Sequence, residues 1–546
     1  MAAKATRLST FQVAIQPDSN GGLAWATPRT FVASGAGSTT TAVCSTLAAL
    51  STTNKSFVGY VVECVSATNT QNIGLRRLVK SYVDSTGTLT FYAAFPAATA
   101  SGDQFRMMVP PHPYIVASAA ATAGGPISDS TRNEAANYWN TYRGNGGPYL
   151  YAIAGTNLSE ANQITISDYT ATGEFTLGSS LSGAVAIGNY FEIWQNPEIM
   201  NSALLDLSGE VIQRAPLHGG FGRKASARGV RSGAGTQELA FRGAGASLPG
   251  DAAESHVFLR CVFDPTVGTD STLTTGSTTT SLAYSSGNAA VGRLVCTEDG
   301  SVTMVTADSG SAYTVSPAVA SAPYTTDTLY GVCQYTPADE VNSALSIKQW
   351  RGKDIVQYAW GCVPVPTFAM ARGDYLKIAM NIQATDWMQM GGSGTALSRA
   401  YDPLMSTVDP VKCGDARAMI DGVSWAVKSF SFDPGLDIQP RVNVAAPNEH
   451  DGFELVGDNP TGTLEVYLDS STRKALDDFL AGKLVTICVQ SGSAPGFPGI
   501  FAVWCYQCRY TGATIGDDAG HVTLSLPFEV CDHDTSALPR YAIGIV

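Results

Sequence analysis

Residues 451–470 read DGFELVGDNPTGTLEVYLDS. The first half is rich in Gly, Asp, Asn and Pro, the residues that favour turns, and it reads as a long loop. From Thr463 onward apolar residues alternate: Leu464, Val466 and Leu468, with Thr463, Glu465 and Tyr467 between them. A period of two marks a strand with one buried face. A long polar loop ahead of a clean strand is uncommon inside a compact domain and asks for a role.

The pattern is not unique in the chain. A stretch from Ile212, IQRAPLHGGFGRKASARGVRSGAGTQELAFRGAG, runs strand, long loop, strand, as does IQPRVNVAAPNEHDGFELVGDNPTGTLEVYLDSS from Ile438. Ile212 precedes Leu239 by 27 residues, and Ile438 precedes Leu464 by 26. Each copy is followed by a helical pattern. In SSTRKALDDFLAGK, Ser470 or Ser471 fits the N-cap, Leu476, Phe479 and Leu480 share a face, and Gly482 ends the helix. DAAESHVFLRCVF, from Asp251, is the less regular counterpart. Each copy closes with a strand after a Gly/Asp turn, ARGDYLKIAMNI and DDAGHVTLSLPF. Such internal duplication is read before anything else.

A second repeat occupies the N-terminal third. SYVDSTGTLTFYAAF (from Ser81) resembles DYTATGEFTLGSSL (from Asp168), and Gly87 precedes Phe105 by the same 18 residues as Gly173 precedes Phe191. The period is about 86 residues, each copy a small all-β unit with Gly/Ser/Thr turns. A fainter third copy falls at 268–327, where AVGRLVC resembles FVGYVVEC.

Composition agrees with a β protein. Only 14% of the 546 residues are Asp, Glu, Lys or Arg, against the usual quarter. The surface is therefore either a Ser/Thr coat or buried against other subunits. The net charge is −13, and residues 421–546, with 16 acids and 7 bases, hold −9 of it. That balance argues against gripping nucleic acid through phosphates. GRKASARGVR is a basic run, but it lacks interleaved aromatics. The opening MAAKATRLSTFQ has no apolar core, so no signal peptide is expected, and no run of 18 apolar residues predicts a membrane span. Eleven scattered Cys, mostly in apolar strands, suit a reducing compartment. Cys505 and Cys508, at i and i+3 of a strand, should point to opposite faces.

Signs of catalysis are missing. There is no GxSxG, Walker A or HExxH pattern, and the six His lie at no metal or triad spacing from Cys or carboxylates. Asp477 and Asp478 are adjacent on a helix and suit a solvated face; Gly516–Gly520, GDDAG, suits a hairpin turn better than a calcium loop. No enzyme activity, metal or cofactor is expected.

FLRCVF, YTPADEVNSALSIKQWRGKD, GDYLKIAMNI, PTGTLEV and LSLPFEV, in this order and duplicated, resemble the tail tube proteins of long-tailed bacteriophages. The resemblance covers 203–266 and 328–530, with RLSTFQVAIQPD near the start; 31–200 depart from it and resemble accessory modules of phage structural proteins. It implies a mainly β fold: two sandwich domains, each with a short flanking helix, that form rings stacking into a tube. The expected division is 1–30, N-terminal arm and first tube strand; 31–116 and 117–200, two accessory modules; 201–266 with 328–415, tube domain A; 267–327, an inserted module; and 416–546, tube domain B. Two tube domains per chain imply a homotrimer closing a pseudo-sixfold ring. The implied setting is the virion, after synthesis in the host cytoplasm. The implied partners are further copies, tail terminator and tail tip proteins, and DNA that passes without specific binding.

In such proteins the long loop is a bracket to the next subunit or ring. The first loop here carries Arg223, Lys224, Arg228 and Arg231; the second carries Glu449, Asp451, Glu454 and Asp458. Opposite charges at related positions suit alternating contacts. A lumen that DNA traverses should be negative, and Glu465, Asp469, Asp517, Asp518 and Glu529 are the candidates to line it. Modules 31–200 should stand outside the wall and be removable. The alternative reading is a modular adhesin or tail-fibre protein whose β modules bind glycans.

Overall fold

In the computed structural model, described residues are 9–15, 29–50, 57–110, 112–130, 148–154, 163–200, 205–212, 227–243, 254–285, 290–351, 355–371, 373–390, 410–413, 417–443, 450–492, 499–532 and 538–546. The protein is mainly β, with a large sandwich and three small six-stranded modules.

The sandwich strands are β1 (Ser9–Ile15), β2 (Asp206–Ile212), β3 (Ala227–Ala240), β4 (Phe263–Thr266), β5 (Cys333–Pro337), β6 (Leu345–Arg351), β7 (Ile355–Ala371) and β8 (Lys377–Met390) in the first half. The second half supplies β9 (Arg417–Ile420), β10 (Val423–Trp425), β11 (Val427–Asp433), β12 (Leu436–Val442), β13 (His450–Asp458), β14 (Thr461–Tyr467), β15 (Val485–Ser491), β16 (Phe501–Tyr510), β17 (Thr514–Asp518), β18 (His521–Val530) and β19 (Tyr541–Ile545). Helix α1 is His256–Leu259 and α2 is Lys474–Leu480.

The front layer runs β3-β8-β7-β11-β14-β18-β17, all antiparallel. One row of side chains crosses it on the inner face: Leu239, Ile378, Phe368, Phe432, Gly462 and Phe528 stand opposite one another in turn. Gly462 is the gap that admits a ring, since a Cβ there would lie 2.4 Å from Phe528 Cζ. The row passes without a break from the first half of the chain to the second, through the β7–β11 pair. Behind it, β9, β15, β16, β19, β5 and β4 form the back layer, and β5–β19 is a second pairing between the halves. One core therefore serves both halves.

The duplication read from Ile212 and Ile438 is present in three dimensions. Leu239 of β3 pairs with Ile378 of β8, and Leu464 of β14 with Leu526 of β18. On their other side Leu239 bridges Ile199 and Leu464 pairs with Phe430. Each half thus supplies one unit, β3-β8-β7 flanked by β2 and the Ile199 bridge, and β11-β14-β18-β17. The copies differ at the long strand. β3 is continuous over 14 residues, whereas its counterpart breaks at Pro460, which has no N–H to give to a ladder, into β13 and β14.

Two local expectations are corrected. The segment read as a loop is strand over His450–Asp458, forming a hairpin arm with β12. Its Gly and Asp residues are poor strand formers, but Phe453 is buried on the core, and such packing decides strand formation more than propensity does. Helix α2 starts later than expected, with neither Ser470 nor Ser471 as N-cap. Asp469 instead accepts the N–H groups of Ser471 (2.7 Å) and Thr472 (2.9 Å) in the turn before it. Leu476 and Phe479 face the core, but Leu480 is 80% exposed.

The three modules share one strand order, first-sixth-third-fourth-fifth-second. Their first strands are Arg29–Val32, Tyr114–Val116 and Ser271–Thr272. Each carries a register shift between its fourth and fifth strands, at Val79/Ser81, Ile166/Asp168 and Val305/Ala307. Each curls back on itself through a bond from just past its first strand to its second: Ser34 N to Val43 O, Ser118 N to Ser128 O and Thr274 N to Ala283 O. Gly87, Gly173 and Gly310 turn the fourth strand into the fifth with φ of 64°, 79° and 84°, which only glycine adopts at no cost. The faint third copy is a full one, and the second module starts at Tyr114, ahead of 117.

Candidate assembly surface

The front sheet has one face on the core and one bare face. Because side chains alternate, the inner row fixes the outer ones. Glu238 faces Ala379, which faces Thr367. Another outer row runs Ala371, Ser429, Glu465, Ser525 and Thr514 across five strands. Apart from Glu238 and Glu465 these are small or hydroxyl side chains, the coat that a low charge fraction implied. The third module packs on the outer side of the back layer, and the first two pack on Tyr358, Trp360 and Met388 near the ends of β7 and β8, where the neighbouring Ala359 and Trp387 turn to the core.

The acids expected to line a lumen divide. Glu465, Asp518 and Glu529 lie on the bare face, and each has a cation. Lys428 Nζ is 2.9 Å from Glu465 and 3.1 Å from Asp518. Arg509 binds Glu529 through Nε (2.9 Å) and Nη2 (2.5 Å). Asp517 accepts the Gly520 N–H (2.9 Å) in the β17–β18 turn. Asp469 sits at the α2 turn, where the N–H and hydroxyl donors of Ser471 and Thr472 hold its carboxyl down to about 2.

Of the bracket residues, Arg223, Lys224 and Glu449 lie outside the described residues. Arg228 and Asp451 are placed in strands β3 and β13, with their side chains outside the description. Glu454 is exposed on the arm, and Asp458 pins the arm's base by a two-oxygen contact with Arg540 (2.5 and 2.6 Å). Arg231 is engaged within the chain. It donates to Gly74 O (2.8 Å) and lies 3.9 Å from Glu63, both in the first module.

That contact belongs to a docking seam that sequence reading missed. Val61, Leu78, Tyr92 and Met108 of the first module and Tyr149, Tyr151 and Trp194 of the second bury Tyr358, Trp360 and Met388 of β7 and β8. Charge is buried with them. Glu63 takes Arg106 at 2.6 Å and Arg76 at 3.6 Å, and Arg76 reaches Asp386 of β8 at 2.5 Å. Burial alone would raise the Glu63 carboxyl, but Arg76, Arg106 and Arg231 together hold it below its ordinary range. In the second module Glu192 takes Lys348 of β6 at 2.7 Å, the Trp194 indole N–H at 2.6 Å and His112 at 3.2 Å. His112, fully buried, also bonds the hydroxyls of Tyr358 (2.5 Å) and Tyr190 (3.0 Å). The only local signal was His112 between two prolines; its partners stand 78 and 246 residues away. The expectation of freely removable modules is therefore corrected: they share a buried polar and aromatic layer with the sandwich.

The third module docks on the back layer. Gln334 of β5 accepts the Leu294 N–H (2.6 Å) and donates to Gly292 O (2.9 Å); Gln490 of β15 does the same with Val302 N (3.1 Å) and Gly300 O (2.9 Å). Trp504 donates to Ser316 O (3.2 Å).

Cys505 and Cys508 both enter the core, contrary to the strand rule. A register shift between Val485 and Ile487 on the partner strand lies opposite them and alters the alternation. Among the described residues no group of three His, Cys, Asp or Glu could hold a metal, and no helix is long and apolar enough to cross a membrane.

One buried acid gives a pH test. Glu254 accepts the Glu198 N–H (2.7 Å) beside Arg242, which also contacts Glu198. Burial pushes its carboxyl up to about 7, against the pull of Arg242, from an unfolded value of 4.5. The native state then holds the proton more tightly, so this contribution to stability is complete below pH 4.5 and is lost as pH rises through 7. Glu254→Gln keeps the acceptor and removes the titration. It should match the wild type near pH 5 and be more stable at pH 8, by up to about 3 kcal/mol, in denaturant midpoints at the two pH values.

No protein-family model matches the sequence, and no curated protein matches it significantly.

Proposed function

We propose that this chain is a structural subunit of the tail tube of a long-tailed phage, three copies closing each ring and rings stacking into a conduit for DNA. The observation that carries the reading is the β7–β11 joint. It pairs the last strand of the first unit with the first strand of the second, at Phe368–Phe432 and Met370–Phe430. Among the described residues β17 pairs only with β18, so its outer edge repeats the edge that β7 presents to β11. At the other end β3 is flanked by β2 over its first half and by the Ile199 bridge near its end, the place that β11 takes beside β14. A joint that recurs head to tail closes a ring if its rotation is right, and two units per chain make six from three chains.

The bare hydroxyl face suits the inside of such a ring, and the third module, on the back layer, would then stand outward. Terminator and tip proteins would complete the two open ends of the stack, and the virion is the place of work. Exposed edges otherwise invite uncontrolled pairing; in a closed ring none remains.

Mass photometry of the purified protein tests the reading. Masses should fall at three times the 57.1 kDa chain and at multiples of that ring. A population of single chains at all concentrations, or of pairs, would count against it.

A further inference from the structure

On the bare face the described cations are few, and each is paired with a carboxylate. Among the described side chains there, Lys428 is held between Glu465 and Asp518, Arg509 is held by Glu529, and Lys377 lies 2.6 Å from Asp374 with Glu238 near it. Three bases thus meet five carboxylates. The pairs cross strands: Lys428 belongs to β11, Glu465 to β14 and Asp518 to β17. Exposed ion pairs of this kind add little to stability, so stability gives no reason for covering every cation.

We infer that these carboxylates mask the cations of the face so that a nucleic-acid duplex can move along it without being held. The inference rests on the tube reading, which brings a duplex to this face, and it differs from repulsion by an acidic wall. Net negative charge acts on a duplex only within about 8–10 Å at physiological salt. A single free Lys or Arg on the same wall would still exchange with a phosphate counterion. Each such contact adds about 0.9 to the slope of log affinity on log salt. What matters is therefore the pairing of each cation, more than the sum of charges. Glu465, with Ser429 as a second donor at 3.0 Å, is fixed in place to do this, and Asp518 closes over Lys428 from the neighbouring hairpin.

The test uses full-length protein and a short fluorescent DNA duplex. Glu465→Gln, Asp518→Asn and Glu529→Gln together uncover Lys428 and Arg509. A control, Glu174→Gln with Glu340→Gln and Asp477→Asn, makes the same change of charge at exposed sites elsewhere. The uncovered variant should bind the duplex at least tenfold more tightly than the control at low salt, with a log–log salt slope of roughly 2. Adding Lys428→Met and Arg509→Met should return it to wild-type behaviour. Equal binding by the uncovered variant and the control would overturn the inference, as would steep salt-dependent binding by the wild type. Mass photometry of the same samples scores the tube separately. Rings without an effect of uncovering reject the mask and keep the tube; single chains with the effect reject the tube and keep the mask.

Discussion

Excising residues 29–194 and joining the flanks with a short Gly/Ser linker is expected to yield an aggregating remainder rather than a trimmed tube subunit. The cut bares Tyr358, Trp360 and Met388, which are 0%, 1% and 3% exposed in the whole chain. At about 25 cal/mol per Å² of apolar surface, these three account for burial on the order of 10 kcal/mol. It also strips Lys348 of Glu192 and Asp386 of Arg76. The seam can be tested more gently. Lys348→Met leaves Glu192 buried without its cation and should cost about 3–5 kcal/mol, read as a fall in the thermal midpoint of the whole chain. Excision in a background with Tyr358, Trp360 and Met388 made Ser should recover solubility if the exposed patch is the cause. A soluble excised chain that melts like the parent would show that the modules are loosely hung.

The second large effect is on assembly alone. Ile515 of β17 is 58% exposed although it faces the core side beside the buried Leu524. In the first half of the chain the corresponding strand end carries Met370, 4% exposed because β11 covers it. Ile515→Lys should leave the melting of the single chain unchanged, since the side chain is already in water. In a ring it would place an unpaired charge in each joint, at a cost of about 3 kcal/mol or more per joint, and rings should be lost at concentrations where the parent forms them. Ile515→Val should retain them. Sedimentation of the three proteins side by side reads the outcome, and intact rings from Ile515→Lys would exclude β17 from the joint.

What was legible in the sequence was what repeats locally. Gly87 and Gly173 stood 18 residues before Phe105 and Phe191, and they mark the same turn in two modules of identical strand order. Gly59 and Gly292, the shared glycine of FVGYVVEC and AVGRLVC, both take a left-handed φ, of 81° and 87°, ahead of the third strand. The Ile212 and Ile438 copies gave equivalent strand pairs because a buried face imposes a period of two on both. What was not legible depends on partners distant in the chain. His112, Glu192 and Lys348 look like isolated polar residues until β6 and the second module meet. The lumen candidates follow from their sign and from their place beside alternating strands, and neither shows that Lys428 and Arg509 stand across from them. The arm was mistaken for a loop because its strands owe their existence to Phe453 and Ile438 on the core, which outweigh two glycines.

The account rests on the β7–β11 joint being repeated between chains. Cryo-electron microscopy of the assembled protein measures this directly. The predicted result is a closed ring of three chains with six such units, in which β17 of each chain docks antiparallel at the end of the next chain's sheet marked by β2 and the Ile199 bridge, with the bare face inward. A ring with six whole chains, an open filament, or contacts made through the modules while β17 stays in solvent would contradict it.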